Sequence, residues 1–226
     1  MHLRLPGKVV IVLDILFATS TIVTAMANGV KRVIPALDGD AARAEATRHA
    51  PGSFVLAGEL NAITLEGMAP PAPLALLEHG VRDKTLIYST TNGTIALQEA
   101  AGAEHVYAGA LLNGAALVDR VLTRHPDRTV VIVCAGSLGN FNLEDFYGAG
   151  YFVDLFAKSL GSDPDLSDAA RVARALFRSG KPYETLRDCR VGRMMHARGN
   201  AREVEYAAQL SSLDAVPVLR SGALVL

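Results

Sequence analysis

Apolar runs recur along the chain, and most are followed by a polar turn and then by a stretch with helical spacing. The runs are short, rich in β-branched residues, and apolar at successive rather than alternate positions. This pattern is typical of parallel strands that are buried on both faces. We therefore predict an α/β fold with three layers, α/β/α, and a mixed, mainly parallel sheet. The predicted strands lie at residues 8–15, 31–37, 53–59, 84–90, 104–110 and 128–136.

Two segments resemble each other, and each follows an apolar strand and a polar turn. STIVTAMANGVKRV at residues 20–33 is echoed by GTIALQEAAGAEHV at residues 93–106. Each copy has a glycine, Gly29 or Gly102, where a helix C-cap would use the freedom of glycine at positive φ. We interpret the echo as an internal duplication of strand–turn–helix units. Two ordinary βαβ units that resemble each other by chance remain the alternative.

The C-terminal part of the chain has a different pattern. LEDFYGAGYFVDLF, from Leu143, predicts a long helix, and DPDLSDAARVARALF predicts a second with Asp163 and Pro164 at its start. NAREVEYAAQLSSL predicts a third before a last apolar AVPVL. No linker or low-complexity stretch separates these helices from the rest. We therefore expect one domain over residues 1–226, built as a single unit or as two intimately packed halves at about 1–80 and 81–226.

Composition narrows the class of protein. Half of the residues are hydrophobic, and the formal net charge is −1 with both signs scattered along the chain. These features exclude the basic footprint of a protein that binds nucleic acid or an anionic membrane surface. No segment reaches the roughly 18 uninterrupted apolar residues of a membrane span, and the N-terminus lacks the pattern of a cleavable leader, so we expect a cytoplasmic protein. Cys134 and Cys189 form no disulfide framework, and the six histidines show no zinc spacing.

Hydroxyl residues stand at the two echoed turns, between a strand and a helix. The free N–H groups at the start of a helix, together with its dipole and nearby hydroxyls, favour an anion. Asn92 and Gly93 would also let the second turn expose successive N–H groups. Taken singly, each turn fits an ordinary N-cap equally well. Because the turns occupy equivalent positions, we expect both to face one cleft and to bind substrate through Thr19, Ser20, Thr21, Thr90, Thr91, Asn92, Gly93 and Thr94.

Carboxylates stand at or just beyond the ends of predicted strands. Asp14 interrupts an apolar run, where a lone charge is rarely left without a purpose. Glu59 ends another run, and Glu144 with Asp145 follows a third, although an acidic first helical turn also explains that pair. Mg²⁺ takes oxygen ligands, commonly one or two carboxylates plus a substrate phosphate. We expect all four acids to be catalytic, with Asp14, Glu59 and Asp145 within roughly 8 Å of one another as metal ligands.

Several segments resemble the 2-phosphosulfolactate phosphatase family in order and spacing. They are DILFATSTIVTAMANG, AGE, TTNGT, LLNGAAL and CAGSLGNFNLEDFYGAG, and the similarity continues to the AQLSSLDAVPVL ending. The resemblance implies a Mg²⁺-dependent acid phosphatase that cleaves the phosphate ester of 2-phospho-3-sulfolactate, a step toward coenzyme M. It also implies a duplicated three-layer α/β/α fold.

The chain departs from the family pattern where arginines are expected. Phe17 and Leu60 stand at two such positions, and EGMAPPAP at residues 66–73 replaces a GNSP-containing segment. An arginine fork binds phosphate or sulfonate bidentately, which phenylalanine cannot do. We expect the Phe17 ring either to enter the core or to form an apolar wall of the pocket. We also expect weak turnover of 2-phosphosulfolactate unless another cation, such as Arg193 or Arg198, has taken over.

Two functional classes therefore remain open. The preferred hypothesis is a Mg²⁺-dependent phosphomonoesterase that acts on a small anionic organic phosphate. The alternative is a non-catalytic relative that binds a small anion or serves as a regulatory or assembly subunit. The retained acids favour the enzyme, whereas the lost arginines favour the binder. A related enzyme with another reaction is the third reading, and the oligomeric state, a homo-oligomer included, is left open.

Overall fold

The computed structural model of the chain describes residues 5–161 and 164–226. Across these residues, nine strands form one open sheet. They are β1 Val9–Leu13, β2 Arg32–Ala36, β3 Phe54–Leu60, β4 Ile63–Thr64, β5 Thr85–Ser89, β6 His105–Gly109, β7 Val130–Cys134, β8 Val218–Arg220 and β9 Ala223–Val225. The helices are α1 Ala18–Ala27, α2 Gly39–Ala46, α3 Pro73–Leu77, α4 Gly93–Glu99, α5 Gly114–Arg124, α6 Leu143–Leu160, α7 Asp168–Ser179, α8 Pro182–Asp188, α9 Arg190–Ala197 and α10 Ala201–Ala207.

The sheet is mixed and contains two groups of three parallel strands. Its strand order is β4–β3–β5–β2–β9–β8–β6–β1–β7. Strands β3, β5 and β2 are parallel neighbours, as are β6, β1 and β7. The antiparallel hairpin of β8 and β9 joins these two groups. The predicted fold class, a mixed and mainly parallel sheet within an α/β protein, is confirmed.

The element order repeats, and the repeats exchange their first strands. The order β1, α1, β2, α2, β3 recurs as β5, α4, β6, α5, β7. In the sheet, β5 lies between β2 and β3, while β1 lies between β6 and β7. Each repeat therefore completes its parallel group with a strand from the other, in agreement with the predicted duplication. The division of the chain into halves near residue 80 stays a prediction.

Strand β1 contributes to the hydrophobic clusters on both faces of the sheet, and helices cover both faces. All five of its side chains are fully buried. Val9, Ile11 and Leu13 pack in a cluster with residues of α5 and α6, whereas Val10 and Val12 pack in a second cluster with residues of α1 and α4. Alternate side chains of a strand point to opposite faces, so both faces need apolar residues. The continuous apolar run read from the sequence has this cause.

The ends of some predicted helices differ from the structure. The second C-terminal helix, α7, begins at Asp168 rather than beside Pro164, because the Ser167 hydroxyl caps it by accepting a hydrogen bond from the Ala170 N–H at 3.3 Å. Asp163, placed at that start from the sequence, lies outside the described residues. The third helix, α10, ends at Ala207, six residues short of the predicted end at Leu213. Helix α6 from Leu143 is confirmed.

The two glycines of the echo behave differently. Gly29 follows α1 with a φ of +90°, as expected after a helix. Gly102 ends a short 3-10 turn without a positive φ, so the expected cap geometry there is wrong. In the described part of the chain, no helix combines the length and the apolar character that crossing a bilayer requires. The cytoplasmic location stays a prediction.

One buried acid joins the two longest C-terminal helices. Asp154 on α6 is 2 % exposed and contacts three cations: Lys158 at 2.8 Å, Arg174 at 3.0 Å and Arg178 at 2.7 Å. Burial acts to raise the pKa of Asp154, but hydrogen bonds from these three side chains lower it to about 2. A depressed pKa means that the acid stabilises the fold above its ordinary value of 3.8 and loses this contribution as the pH falls towards 2.

We expect Asp154→Asn to lower the free energy of unfolding at neutral pH by about 1.5–3 kcal/mol, because the neutral amide loses charge-assisted hydrogen bonds. Urea denaturation at several pH values measures this, and the difference from the unaltered chain should shrink as the pH falls from 3.8 towards 2. Asp119→Asn, on the exposed side of α5, is the matched control and should change little. A difference that persists unchanged at the lowest pH would contradict this role of the charge.

Candidate active site

A cavity of about 470 Å³ opens at the carboxyl ends of the parallel strands. Asp14 follows β1, Glu59 ends β3, Thr90 follows β5 and Gly136 follows β7, and all four line the cavity. In open α/β sheets, this edge is where ligands commonly bind. Part of the lining is apolar and includes Phe17, Pro70, Pro71, Ala72, Met194 and Met195.

The Asp14 carboxylate lies where the first turns of two helices meet. It accepts a hydrogen bond from the Ala18 N–H, at the start of α1, at 3.3 Å, and another from the Gly93 N–H, at the start of α4. A Cβ placed on Gly93 would lie 2.6 Å from Asp14 Oδ2 and 2.4 Å from the Ala18 Cβ. Only glycine therefore lets α4 approach this closely. The two echoed turns meet at Asp14, and the anion at their meeting point is the protein's own carboxylate.

Neighbouring acids affect the pKa of Asp14. Burial is the main cause that raises the pKa of Asp14 to about 7; the charges of Glu144 and Glu59 raise it further, while the Ala18 and Gly93 N–H groups oppose them. The pKa of Asp145 is raised well above its usual range by burial, then by Asp14 and Glu144. Burial likewise raises the pKa of Glu144, against hydrogen bonds from its own N–H and from Cys189 and against the charge of Arg190. The four predicted acids are thus brought into one electrostatic group.

Asp145 holds two segments of the cavity together. Its Oδ1 accepts a hydrogen bond from the Ile15 N–H at 2.9 Å, and its Oδ2 accepts one from the Gly136 N–H at 3.0 Å. The residue after Asp14 and the loop after β7 are thereby fixed to the first turn of α6. Asp145 itself is 1 % exposed, and its carboxylate lies behind the cavity wall rather than in it.

Glu59 lines the cavity, but its oxygens already have partners. Oε1 accepts from the Thr91 N–H at 2.6 Å, and Oε2 accepts from the Thr91 hydroxyl at 3.0 Å and from the Ala62 N–H. Glu59 therefore orders the Thr91 turn. Across residues 5–161 and 164–226, no three His, Cys, Asp or Glu side chains are grouped to hold a metal ion. The expected three-carboxylate group of Asp14, Glu59 and Asp145 is not assembled here.

The hydroxyls of the first turn serve the backbone. Thr19, Ser20 and Thr21 are fully buried and do not line the cavity. The Thr19 hydroxyl donates to the Asp14 carbonyl at 3.0 Å, that of Ser20 to the Ile15 carbonyl at 2.8 Å, and that of Thr21 to the Pro71 carbonyl at 2.8 Å. Buried hydroxyls need such partners. This placement gives them a role in holding the Asp14 loop rather than in contacting a ligand.

The second turn is divided between the cavity and the backbone. Thr90, Thr91 and Asn92 line the cavity, whereas Gly93 and Thr94 lie behind it. Thr90 and Thr94 cap each other, since each side-chain oxygen accepts the other residue's N–H at 3.1 Å. The Asn92 Oδ1 accepts from the Leu138 N–H at 2.8 Å and so ties this turn to the loop after β7.

The cation of the cavity was missed in the sequence. Among the described residues that line it, the sole cation is Arg190, at the start of α9. Its Nη2 donates to Asn142 Oδ1 at 2.9 Å, and Asn142 Nδ2 donates to the Ser137 hydroxyl at 2.9 Å. Arg193 and Arg198, the replacements named from the sequence, do not line the cavity. They donate instead to the carbonyls of Asp188 and Ala62.

The two positions that lack a family arginine differ in the structure. Phe17 is 9 % exposed, belongs to the main hydrophobic cluster and also lines the cavity. Both outcomes expected for this ring therefore hold at once: it packs in the core and presents an apolar wall. Leu60 is 56 % exposed and does not line the cavity. The two cysteines are buried or partly buried free thiols, and burial raises the pKa of each to about 12.

Fold and site together define an α/β protein with an acidic cavity and one facing arginine at the strand ends. The sequence profile described as 2-phosphosulpholactate phosphatase matches residues 1–222. The chain belongs to the 2-phosphosulfolactate phosphatase family, as the resemblance in the sequence indicated.

Individual relatives agree with the profile over nearly their whole length. A protein of Symbiobacterium thermophilum, named probable 2-phosphosulfolactate phosphatase, is 37 % identical over 228 residues, which cover 99 % of this chain and 96 % of that protein. Proteins of the same name are 38 % identical over 222 residues in Carboxydothermus hydrogenoformans, covering 97 % and 90 %, and 33 % identical over 220 residues in Clostridium tetani, covering 97 % and 92 %.

We expect Gly93→Ala to disrupt the site, because the added methyl group would overlap Asp14 and Ala18. Overpacking of this kind typically costs about 1–3 kcal/mol, which thermal or urea denaturation measures. Gly102→Ala is the matched control, since a Cβ there meets nothing within 4 Å and the backbone has no positive φ. Equal stability of the two variants would show that α4 does not need this close approach.

Proposed function

We propose that the chain is a Mg²⁺-dependent phosphatase that hydrolyses a small organic phosphate monoester carrying a second anionic group. The observation that carries the proposal is the position of Asp14. It lines the cavity together with Arg190, and neighbouring acids raise its pKa. Membership of the 2-phosphosulfolactate phosphatase family supports the same reaction class.

The acids of the site fit a hard divalent cation. Glu144 and Glu59 raise the pKa of Asp14, and Asp14 and Glu144 raise that of Asp145, so a cation beside these acids would relieve their repulsion. Mg²⁺ usually keeps several waters and needs only one or two carboxylates from the protein. Asp14 on the cavity wall would hold the ion, and the charge of Asp145 behind the wall would add to the attraction. When bound, Mg²⁺ would neutralise charge on the phosphoryl oxygens and polarise the bond to be cleaved.

The protein's own groups would position the substrate. Arg190 presents a planar fork that suits a phosphate or sulfonate, and Asn142 holds this fork at the cavity wall. Glu59 keeps the Thr91 turn in place beneath the cavity, and Phe17 with the Pro70–Pro71 segment would shield the carbon skeleton from water. Asp14 and Glu59, the carboxylates that line the cavity, would orient the attacking water.

The proposed substrate class includes 2-phosphosulfolactate. This compound carries anionic groups besides its phosphate. Arg190 would bind one of these anionic groups, whereas Phe17, which also lines the cavity, has no charge to offer. The Phe17 wall would also accept a more apolar substituent beside the phosphate. We propose cytoplasmic action on such a small anionic organic phosphate, in a step toward coenzyme M if 2-phosphosulfolactate is the natural substrate.

Phosphate release from a panel of small phosphate monoesters, with and without Mg²⁺, tests the reaction. We expect turnover that requires the ion and that falls by about a hundredfold or more in Asp14→Asn, which removes a charge at the reacting group. Asp127→Asn, an exposed carboxylate elsewhere, is the control and should retain full activity. Turnover unaffected by chelation would contradict the metal. Binding of the esters without any release would favour the non-catalytic alternative.

The role of Arg190 can be separated from the chemical step. We expect Arg190→Ala to raise KM for 2-phosphosulfolactate by about 10- to 100-fold, the typical cost of one charge-assisted contact, with a smaller change in kcat. Arg190→Lys should recover only part of the loss, because lysine lacks the bidentate fork. Arg193→Ala, three residues along the same helix, is the control. A larger effect in Arg193→Ala than in Arg190→Ala would refute this assignment.

A further inference from the structure

A second cavity, of about 440 Å³, lies at the other end of the sheet. It is lined by His105 and Tyr107 of β6, by Arg120 and Arg124 of α5, and by Arg220 at the end of β8. His105 is the first residue of β6, which runs parallel to β1. The cavity therefore opens toward the amino ends of these strands, away from the candidate active site. We call it the basic recess.

The basic recess holds far more positive than negative charge. Four of the residues that line it are arginines, and one, Glu104, is an acid. Glu104 pairs with Arg128 at 3.0 Å. In the described part of the chain, the side chains of Arg120, Arg124 and Arg220 make no hydrogen bond and no ion pair. Three guanidinium groups therefore face one concavity with their donors unused, in a chain whose formal net charge is −1.

The three guanidinium groups share the recess with the Tyr107 hydroxyl. Burial is the main cause that raises the pKa of Tyr107, and the charges of Arg120, Arg220 and Arg124 oppose it. The Tyr107 hydroxyl in turn lies 2.8 Å from His125 Nε2. The arginines come from α5, which packs on one face of the sheet, and from β8, which pairs with β6, so tertiary structure brings them together.

Two stacked histidines form the floor of the recess. The rings of His105 and His125 are 3.9 Å apart and nearly parallel. Burial chiefly lowers the pKa of His125, and the charges of His105, Arg128 and Arg124 lower it further against the opposing charge of Glu104. An anion in the recess would balance this excess of positive charge and supply acceptors for the unused donors.

We propose that the basic recess binds a compact polyanion, a diphosphate or triphosphate group, at a site separate from the candidate active site. Arginine forks match phosphate oxygens, and three of them from different elements suit a ligand with several adjacent anionic groups. The concave shape and the volume of the recess fit a small molecule. A nucleic acid would need a longer basic surface, for which the overall charge gives no support.

Calorimetric titration of the full chain with inorganic triphosphate, without Mg²⁺, tests the proposal. We use the Arg190→Ala background so that the cation of the candidate active site cannot contribute. The Arg190→Ala protein should bind triphosphate. Adding Arg124→Gln and Arg220→Gln should weaken this binding by about a hundredfold, since two charge-assisted contacts are lost. Both side chains are exposed, so glutamine should leave the fold intact. The matched control is Arg82→Gln with Arg202→Gln, two exposed arginines elsewhere.

The outcomes separate the ligand sources. Titration with ATP alongside triphosphate shows whether a free polyphosphate or a nucleotide binds more tightly, and selective loss of either in the Arg124/Arg220 double variant supports the recess. No binding of either compound, or an equal loss in the control, overturns the proposal. Tighter binding of a single-stranded oligonucleotide than of triphosphate overturns it in favour of a nucleic-acid surface. Because no step requires turnover, the result is independent of the proposed phosphatase activity.

Discussion

The structure depends on one carboxylate that is shared by the starts of two helices. Asp14 accepts N–H donors from Ala18 and Gly93, which belong to the equivalent helices of the two repeats. Those donors offset part of the desolvation of a buried carboxylate, and the neighbouring acids increase its cost again. The contact needs glycine at position 93 and needs the buried hydroxyls of α1 to hold the loop. Fold and site therefore share the same atoms.

The exchange of strands completes each half of the sheet. Strand β1 lies between β6 and β7, and strand β5 lies between β2 and β3, so each parallel group takes its middle strand from the other repeat. The start of α4, which follows β5, reaches the loop after β1, since a Cβ on Gly93 would lie 2.6 Å from Asp14 Oδ2. Asp145 of α6 then closes the site from behind, because its carboxylate accepts hydrogen bonds from the Ile15 and Gly136 N–H groups.

The strands and the acid Asp14 could be predicted from the sequence. The roles of Arg190 and of the hydroxyls in α1 could not, and the reasons are physical. Asp14 stands out because an apolar run rarely tolerates a charge, and the strands stand out because burial on both faces removes polar alternation. Arg190 carries no such signal: it is an exposed arginine on a short helix, and tertiary packing alone brings it beside Asn142. Likewise, local sequence cannot tell whether Thr19 faces a ligand or its own backbone, since both uses favour a hydroxyl at the start of a helix.

The position of β1 also affects how the chain reaches this state. Val9 pairs with His105 on one side and with Val130 on the other, so the most buried strand finds its second partner only after more than half of the chain has been made. Contacts this distant in sequence slow folding, because a long loop must close before they form. During synthesis, a fully apolar segment near the N-terminus must stay unpaired while the second repeat emerges. The strand exchange that completes each half of the sheet thus leaves the nascent chain exposed to aggregation and to capture by chaperones.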